Sequence, residues 1–397
     1  MKKLRVVHVE DRFHPDMGYQ LNFTAKFHCA DVDMHIVCSN SLKLFNHEGL
    51  TSELIRAKDE AFEKEYGVTI HRLPVRYEKK NGYNLLMKGV RKKILSLQPD
   101  VLFVHALESY TAFSLLMNNG LYKKCLVCAD THTLDNQFKG GVVERLYFKL
   151  LKRLVVRPLR RYKAPVFYTA AENKNILLSR YCLADDQVYP YLIGTDPKVF
   201  YPDEDAGNKL RETLGIAERH IILYAGKFNQ PKSPHLVIEA LNKLDIDLSD
   251  VCLLMLGGKT APYYSETFLL CKENSKVKVI VKDAVRVADL NAYYNMATLA
   301  VFPRENTLSA LDAQLCKLPL VMEADLTNNE RLSKGGLTYE KGNISAMAAA
   351  IQQLLGDDER RRIMGENGYA FVKANYSYQS IIASMEAVLF DRLKQLK

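Results

Sequence analysis

The sequence predicts an α/β protein made of two doubly wound domains, each a parallel sheet with helices on both faces. Short, almost continuously apolar runs alternate with helical stretches along nearly the whole chain, a pattern typical of parallel strands buried on both sides. The runs form two sets with a polar stretch between them. A chain of 397 residues is also too long for one typical hydrophobic core.

The apolar runs predict the strands of both domains. Those of the first domain are expected at 4–9, 34–39, 68–73, 101–105, 125–129 and 166–169. Those of the second domain are expected at 221–225, 251–256, 277–281, 299–302 and 319–322. Proline, glycine and acidic residues cluster at 194–208, so the chain is expected to cross between domains there.

Composition and charge restrict the classes of partner and location. The net charge of +9 indicates anionic partners, such as nucleotide diphosphates, an anionic membrane surface or nucleic acid. No apolar run approaches the ~18 residues that span a bilayer. The first apolar run meets Glu10, Asp11 and Arg12, which predicts a strand and not a signal peptide.

Cysteine usage predicts a cytoplasmic protein without a metal site. Eight cysteines in a chain without a leader are most simply reduced thiols. Cys125 and Cys128 have metal-like spacing, but residues three apart in a strand point to opposite faces. Because no second pair is nearby, both are expected in the core.

The segment 223–235 is a strand–loop–helix junction suited to an anion. The strand ends at Gly226, and Lys227 and Lys232 follow five positions apart. Ser233 is the expected N-cap of the next helix and Pro234 its first residue. Backbone N–H groups and the positive helix end would join the two lysines in holding a diphosphate. A solvated loop with two ordinary lysines is the alternative.

This junction resembles the "G-R-x-x-x-x-K-G" element of retaining glycosyltransferases of the GT-B fold, known as family four or glycosyl transferases group 1. Lys227 stands at the arginine position and Lys232 at the lysine position. The resemblance implies that both hold the diphosphate of a nucleotide-sugar, with Gly226 beside them. A lysine supplies charge but not the bidentate fork of a guanidinium.

The resemblance extends along the whole chain. The segment 193–200 is similar to the "N-G-V-D-x-x-x-F" turn before the domain crossing, without its asparagine, and 376–378 is similar to "F-S-W". The family fold implies two Rossmann-like domains facing a central cleft: an acceptor-binding domain at 1–198 and a donor-binding domain at 199–379. The last helix, 380–397, is expected to pack back on the first domain.

A third element, 299–321, resembles the family's donor loop and helix. Asp312, seven residues before Pro319, falls where the family has an acid that binds the ribose hydroxyls. The other acidic position falls on Arg304, and Glu305 is one place late. Either the loop shifts so that Glu305 reaches the sugar, or Arg304 takes a different role. Backbone N–H groups at the helix start are expected to cap the phosphates, at Thr307, Leu308 and Ser309.

The first domain supplies the expected acceptor residues. The segment 15–20 resembles the "G-G-x-x" loop beneath the donor diphosphate, with Gly18 at the second glycine. Tyr19 and Gln20 are expected to reach the acceptor, although a plain βα turn is a rival explanation. The segment 99–105 resembles "P-D-V-V-H-x-H", which places His105 at a strand end, where it would bond the sugar or orient the acceptor hydroxyl. His132 matches a histidine after the next strand and is expected to contact the acceptor.

A basic amphipathic segment lies at 144–163. A segment of this kind can lie on an anionic membrane, and a solvated helix with an apolar face in the core is the alternative. Pro158 is expected to limit the helix. Nucleic acid ranks last because no recognition module is present. The cationic residues are Arg145, Lys149, Lys152, Arg153, Arg157, Arg160, Arg161 and Lys163.

Together these features predict a retaining glycosyltransferase that moves a sugar from a nucleoside-diphosphate sugar to a hydroxyl of a glycan or lipid-linked acceptor. The resemblance implies no bound metal and no cofactor besides the donor. An NAD enzyme is unsupported because Gly-x-Gly-x-x-Gly is absent after the first strand. Two alternatives remain open: a catalytically inactive GT-B protein that binds a nucleotide or partner, and a GT-B sugar-nucleotide epimerase.

Overall fold

The computed structural model describes residues 3–45, 50–80, 84–133, 141–304 and 307–396. The chain divides into two compact units. The first contains Met1–Ile193 together with Tyr378–Lys397, and the second contains Gly194–Ser377.

The first unit is built on a seven-stranded parallel sheet with the order β3-β2-β1-β6-β7-β8-β9. A separate antiparallel hairpin pairs β4 with β5. The described strands of this unit are β1 (Leu4–Val9), β2 (Val32–Ser39), β3 (Thr69–Leu73), β4 (Val75–Glu78), β5 (Leu85–Met87), β6 (Val101–Val104), β7 (Leu126–Thr131), β8 (Val166–Tyr168) and β9 (Val188–Pro190).

Helices cover both faces of this sheet, so its central strands are buried on both sides. The helices up to residue 193 are α1 (Gln20–Phe27), α2 (Ser52–Tyr66), α3 (Val90–Leu97), α4 (Tyr110–Leu116), α5 (Asn119–Tyr122), α6 (Val142–Leu151), α7 (Arg157–Arg161) and α8 (Ala171–Asn175). Single π-helical turns lie at Lys152–Val156 and Ile176–Arg180. Pro158 lies in the first turn of α7, so the helical run begun by α6 continues past the position expected to limit it.

The two predicted core cysteines confirm this two-sided burial. Cys128 of β7 packs with Val6 of β1 and Phe103 of β6 in the core on one face. Cys125, just before β7, packs with Val127 in the core on the other face. All eight cysteines are free thiols.

The second unit has a six-stranded parallel sheet with the order β12-β11-β10-β13-β14-β15. Its described strands are β10 (His220–Ala225), β11 (Val251–Leu256), β12 (Lys278–Lys282), β13 (Leu299–Phe302), β14 (Leu320–Glu323) and β15 (Gly336–Tyr339). Its described helices are α9 (Glu204–Thr213), α10 (His235–Asn242), α11 (Leu269–Glu273), α12 (Leu290–Met296), α13 (Ser309–Leu315), α14 (Leu326–Leu332), α15 (Ile344–Leu355) and α16 (Asp358–Asn375).

The last helix, α17 (Tyr378–Leu396), belongs to the first unit. Tyr378 stacks on Phe23 of α1 with ring centroids 3.8 Å apart. Ile382 and Met385 are buried in the same core as β1. The carboxylate of Glu386 accepts hydrogen bonds of 3.1 and 3.2 Å from the backbone N–H of Cys29, which fixes the helix against the end of α1.

The predicted fold class, an α/β protein with two doubly wound parallel sheets, is confirmed. Within the described ranges, no helix combines the length and the apolar character needed to cross a membrane.

Candidate functional site

The sheet of the second unit changes direction between β10 and β13. The chain runs outward from β10 to β11 and β12, and then returns to place β13 on the other side of β10. In open α/β sheets, ligands bind at the carboxyl ends of the strands at such a switch point. The loops after β10, β11 and β13 leave the sheet at this edge, and they carry Lys227, Gly257 and Arg304 respectively.

A close backbone approach fixes the loop after β10. The N–H of Gly226 donates to the carbonyl of Leu256 at 2.9 Å, and the N–H of Phe228 donates to that of Gly258 at 2.8 Å. A Cβ atom added to Gly257 would lie 1.7 Å from the carbonyl oxygen of Gly226. Only glycine therefore allows the two loops to lie this close together, and the approach sets the point where Lys227 leaves the sheet.

The two predicted phosphate-binding lysines lie on either side of a turn. Lys227 is exposed and Lys232 is half-buried. The hydroxyl of buried Tyr224 donates to the carbonyl of Lys227 at 2.8 Å, and Asn229 Oδ1 accepts from the N–H of Lys232 at 3.0 Å. Both bonds hold the backbone while the Lys227 ammonium group stays accessible.

The predicted helix start at Ser233 is wrong. Ser233 has a left-handed backbone with φ of +45°. Its Oγ donates to the carbonyl of Gln230 at 2.5 Å, so it closes the turn and does not cap the helix. The helix begins at His235, and Pro234, predicted as its first residue, lies at the N-cap position.

The loop after β13 is described on both sides of Glu305, which lies outside the described residues. Arg304 is exposed, and the hydroxyl of Tyr339 donates to the carbonyl of Pro303 just before it. Past the gap, Thr307 is half-buried and Leu308 is 40% exposed.

The start of the following helix carries a local hydrogen bond. The N–H of Ser309 donates to Oγ1 of Thr307 at 3.3 Å. This N–H was expected to meet a phosphate, so a phosphate would have to displace the threonine oxygen there. The N–H groups of Leu311 and Asp312 already bond to the carbonyl of Leu308.

Asp312, the expected ribose ligand, lies in the first turn of α13. Its Oδ1 accepts a hydrogen bond of 2.6 Å from Oγ1 of Thr195. Burial raises the pKa of Asp312 to about 7, although the Thr195 hydroxyl opposes the shift. The carboxyl group therefore changes charge near neutral pH, where its capacity to accept hydrogen bonds also changes.

The carboxyl edge of the first sheet holds a buried chain of polar side chains. His105 follows β6 and is 4% exposed. Its Nδ1 lies 2.6 Å from Oδ2 of Asp130 at the end of β7, and its Nε2 lies 3.0 Å from Nδ1 of His8 in β1. Both ring nitrogens of His105 therefore have protein partners here, and its predicted role in bonding the sugar or orienting the acceptor hydroxyl stays a prediction.

His132 is the more accessible histidine of this group. Its side chain is 41% exposed, and Nε2 lies 3.6 Å from Oδ1 of Asp130. Burial opposes protonation of the ring, but the Asp130 carboxylate outweighs it and raises the pKa of His132 to about 9. The histidines hold the pKa of Asp130 well below its usual range in spite of its burial. The edge thus presents a charged imidazolium supported by a buried carboxylate.

The sequence prediction missed several acids at this edge. Burial raises the pKa of Glu10 and that of Asp11, the latter to about 7. Burial also raises the pKa of Glu108, which accepts hydrogen bonds from Thr131 Oγ1 at 2.7 Å and from Tyr181. The signal in the sequence is that Glu10 and Asp11 directly follow the apolar run 4–9, and that Glu108 comes three residues after the run 101–105.

The loop before α1 carries three residues of the predicted site, and they differ in exposure. Gly18 is exposed with φ of +64°, a conformation that favours glycine. Tyr19 is 52% exposed and free to meet a ligand. Gln20 is 8% exposed, and its amide donates to the carbonyls of Tyr191 and Leu192 at 2.5 and 3.0 Å. The amide nitrogen of Gln20 therefore fixes the segment after β9, and the predicted contact of Gln20 with an acceptor stays a prediction.

The fold, two doubly wound units on parallel sheets, matches the GT-B fold. Among solved structures, sucrose-phosphate synthase from Thermosynechococcus elongatus is similar with a TM-score of 0.70 and 17% identity, and the match covers all of both chains. Anabaena HepE in complex with UDP is similar with a TM-score of 0.70 and 14% identity, over 98% of this chain and 100% of that one. At these identities, the likeness shows the fold.

The model of the family described as glycosyl transferases group 1 matches residues 208–371. Residues 208–371 therefore belong to this family, as the resemblance of the junction at 223–235 and of the donor loop predicts.

Curated relatives agree with this assignment. The chain is 24% identical to the GDP-mannose-dependent alpha-(1-6)-phosphatidylinositol monomannoside mannosyltransferase of Mycolicibacterium smegmatis, over 50% of this chain and 55% of that protein. It is 27% identical to the capsular polysaccharide biosynthesis glycosyltransferase CapM of Staphylococcus aureus, over 47% and 51%. The matched segments thus span about half the length of these relatives.

Proposed function

We propose that this protein transfers a sugar from a nucleoside-diphosphate sugar to a hydroxyl group, with retention of the anomeric configuration. One observation supports the proposal above the others. Lys227 leaves the second sheet at its switch point, beside the close approach of Gly226 and Gly257, and Lys232 follows at the turn before α10. This arrangement offers two ammonium groups at the edge where an α/β sheet binds its ligand.

The donor is held by the second unit in this proposal. Lys227 and Lys232 neutralise the diphosphate as it leaves, so the reaction needs no bound metal. Asp312 accepts hydrogen bonds from the ribose, and Glu305 contacts the sugar. The acceptor oxygen forms a bond to the anomeric carbon on the face from which the diphosphate departs, and a donor phosphate oxygen takes the acceptor proton.

The acceptor side belongs to the first unit. Tyr19 and His132 are the exposed groups of the predicted acceptor set, and His132 is positioned by the buried Asp130. Asp130 is therefore a positioning residue and not a group that meets substrate. The relatives named for a phosphatidylinositol monomannoside and for a capsular polysaccharide support a lipid-linked or glycan acceptor.

Two other functions are compatible with one specific observation. Arg304 occupies the position where the family has its first donor acid, which is compatible with a protein that binds a nucleotide or partner without turnover, or with a sugar-nucleotide epimerase.

Turnover assays separate these functions. The purified protein is incubated with a panel of nucleotide-sugars, with and without alcohol and glycan acceptors, and release of nucleoside diphosphate is measured. A transferase releases it in an acceptor-dependent way, and NMR of the product gives the anomeric configuration. An epimerase changes the donor sugar without any acceptor. Nucleotide binding without release from any donor would contradict the proposed transfer.

A further inference from the structure

The helical run 142–161 in the first unit presents apolar side chains to solvent. Val142 is 75% exposed, Val143 83%, Leu146 57% and Leu150 42%. Positions 142, 146 and 150 repeat every four residues, so these side chains form one line along α6, here called the apolar stripe. A surface helix normally turns its apolar residues to the core. A contiguous exposed apolar patch marks a site of interaction.

A basic groove adjoins the stripe on the same helical run. It has a volume of about 1080 Å³, and its other wall is the loop 182–187. Asp186 is the one acid among the described residues that line it. The cations of the basic groove are Lys149, Lys152, Arg153, Arg157, Arg160, Arg161 and Lys163.

Among the described residues, no acid pairs with any of these seven cations. Across the part of the chain that the structure describes, none of them forms a salt bridge. Exposed arginines of the second unit do pair, as Arg286 does with Asp289 at 2.8 Å and Arg362 with Glu359 at 2.7 Å. Like charges held together repel one another, so an unneutralised groove is suited to an anionic partner.

The walls of the groove are fixed by hydrogen bonds to buried groups. Gln187 is 3% exposed, and its amide donates to the carbonyls of Leu159 and Ala164 at 3.3 and 3.0 Å. The guanidinium of Arg392 in α17 donates to the carbonyl of Lys163. The loop wall and the last helix are thus tied to the helical run that carries the cations.

We propose that the apolar stripe and the basic groove form one docking surface for an anionic lipid bilayer. The helix α6 lies in the plane of the interface, with Val142, Leu146 and Leu150 at the boundary of the acyl chains and the groove cations on the lipid phosphates. A nucleic acid or a soluble polyanion would bind the cations but leave the apolar stripe exposed to water. The exposed apolar stripe therefore favours a lipid bilayer as the partner. The inference rests on the proposed function in one respect only: membrane docking would bring the enzyme to a lipid-linked acceptor.

A tryptophan placed in the stripe tests insertion directly. The chain has no tryptophan, so a single introduced one reports without background. Leu146→Trp is compared with Leu270→Trp in the second unit, because both leucines are 57% exposed. Vesicles of phosphatidylcholine with phosphatidylglycerol should shift the emission of Leu146→Trp to the blue and leave that of Leu270→Trp unchanged. An unshifted Leu146→Trp, or equal shifts in both variants, overturns the proposal.

Charge removal tests the groove. Replacing Lys149, Lys152, Arg153 and Arg157 by glutamine should weaken partitioning onto these vesicles by about two to three orders of magnitude, because each cation near such a surface contributes about fivefold. The matched control replaces four exposed lysines of the second unit, Lys209, Lys276, Lys334 and Lys341, and should partition like the parent. Thermal unfolding followed by circular dichroism verifies that each variant is folded.

A third comparison distinguishes a bilayer from a soluble polyanion. Leu146→Ser should lower vesicle binding at high salt, where screening removes most of the charge attraction, and should leave binding of inorganic polyphosphate unchanged. Equal vesicle binding by Leu146→Ser and the parent at high salt would make the groove a general polyanion site and contradict the proposal. None of these measurements requires turnover. The membrane-docking proposal can therefore be contradicted while the proposed sugar transfer is upheld, and the sugar transfer can be contradicted while membrane docking is upheld.

Discussion

Thr195 donates a hydrogen bond from its Oγ1 to Oδ1 of Asp312 across 2.6 Å. The contact joins the first residues of the second unit to the helix that follows β13, and it occupies one oxygen of the expected ribose ligand. Thr195 is itself held by its N–H, which donates to the carbonyl of Tyr376 at 2.9 Å. Both ends of the second unit therefore meet beside Asp312.

The raised pKa of Asp312 predicts a specific pH dependence of stability. The folded state binds the proton more tightly than the unfolded state, because burial raises the pKa from 3.8 to about 7. The contribution to the free energy of unfolding is fully present below about pH 4 and is lost as the pH rises through about 7. Asp312→Asn should remove this contribution. The change in the free energy of unfolding between about pH 4 and about pH 7 should then be smaller than in the parent by about 1 kcal/mol or more.

Urea unfolding at about pH 5 and about pH 8 measures the effect of Asp312→Asn. The matched control is Asp245→Asn, at an exposed aspartate of the same unit, which should keep the pH dependence of the parent. If Asp312→Asn has the same pH dependence as the parent, the carboxyl group is not held neutral by burial.

Asp130→Asn should lower the pKa of His132 from about 9 toward 6.5, since the carboxylate is the main cause of the upward shift and burial opposes it. An NMR titration of the His132 ring protons measures this. Glu108→Gln is the matched control, because Glu108 contributes a smaller charge interaction, and it should move the pKa less. A His132 pKa that does not change in Asp130→Asn would remove the basis for a positioning role of Asp130.

Gly257→Ala should destabilise the second unit, and Gly258→Ala should not. A Cβ at Gly257 would meet the carbonyl oxygen of Gly226 at 1.7 Å, whereas one at Gly258 meets nothing within 4 Å. Overpacking against a rigid backbone costs about 1–3 kcal/mol or more, and the displaced loop should also weaken nucleotide binding. Chemical unfolding of both variants is the measurement, and equal stabilities would show that the two loops are not in close contact.

Glu305→Gln should reduce turnover more than nucleotide affinity, and Arg304→Ala should have the smaller effect on turnover. The expectation follows from the donor motif, where Glu305 is one place from the acidic position and Arg304 occupies it. Steady-state kinetics and nucleotide titration separate the two effects. A fully active Glu305→Gln with an inactive Arg304→Ala would assign the role to the arginine.

Strands that lie within a longer β-rich apolar run could be predicted from the sequence, including the largely half-buried strands β3 and β12, whereas some short strands could not. The strands β1, β11 and β13 have the predicted bounds, because each is an almost unbroken apolar run between polar loops. The edge strand β15 begins at a glycine, and the hairpin strands β4 and β5 have only four and three residues. These gain their stability from pairing with a neighbour, which a single segment does not reveal.

Some residues of the candidate site could be predicted from the sequence and others could not. The residues on one loop, such as Lys227 and Lys232, are visible as a spacing in the sequence. The partners of His105 are not, because His8 and Asp130 come from β1 and β7, which flank β6 only in the folded sheet. The occupation of both ring nitrogens of His105 could therefore be known only from the structure.

The account depends most on the two lysines of the second unit. Lys227→Ala and Lys232→Ala should each weaken binding of a nucleoside diphosphate by about 1.5–3 kcal/mol, the usual strength of a hydrogen bond to a charged group. The loss should be smaller for the nucleoside monophosphate, which lacks the second phosphate. Lys243→Ala is the matched control, because Lys243 is an exposed lysine at the opposite end of α10.

Isothermal titration of the parent and these three variants with nucleoside diphosphates is the most direct test of the donor site. The account predicts tight binding by the parent and by Lys243→Ala, and affinities about ten- to a hundredfold weaker for Lys227→Ala and Lys232→Ala. Equal affinity in all four proteins would contradict the assignment of the donor diphosphate to the switch point between β10 and β13.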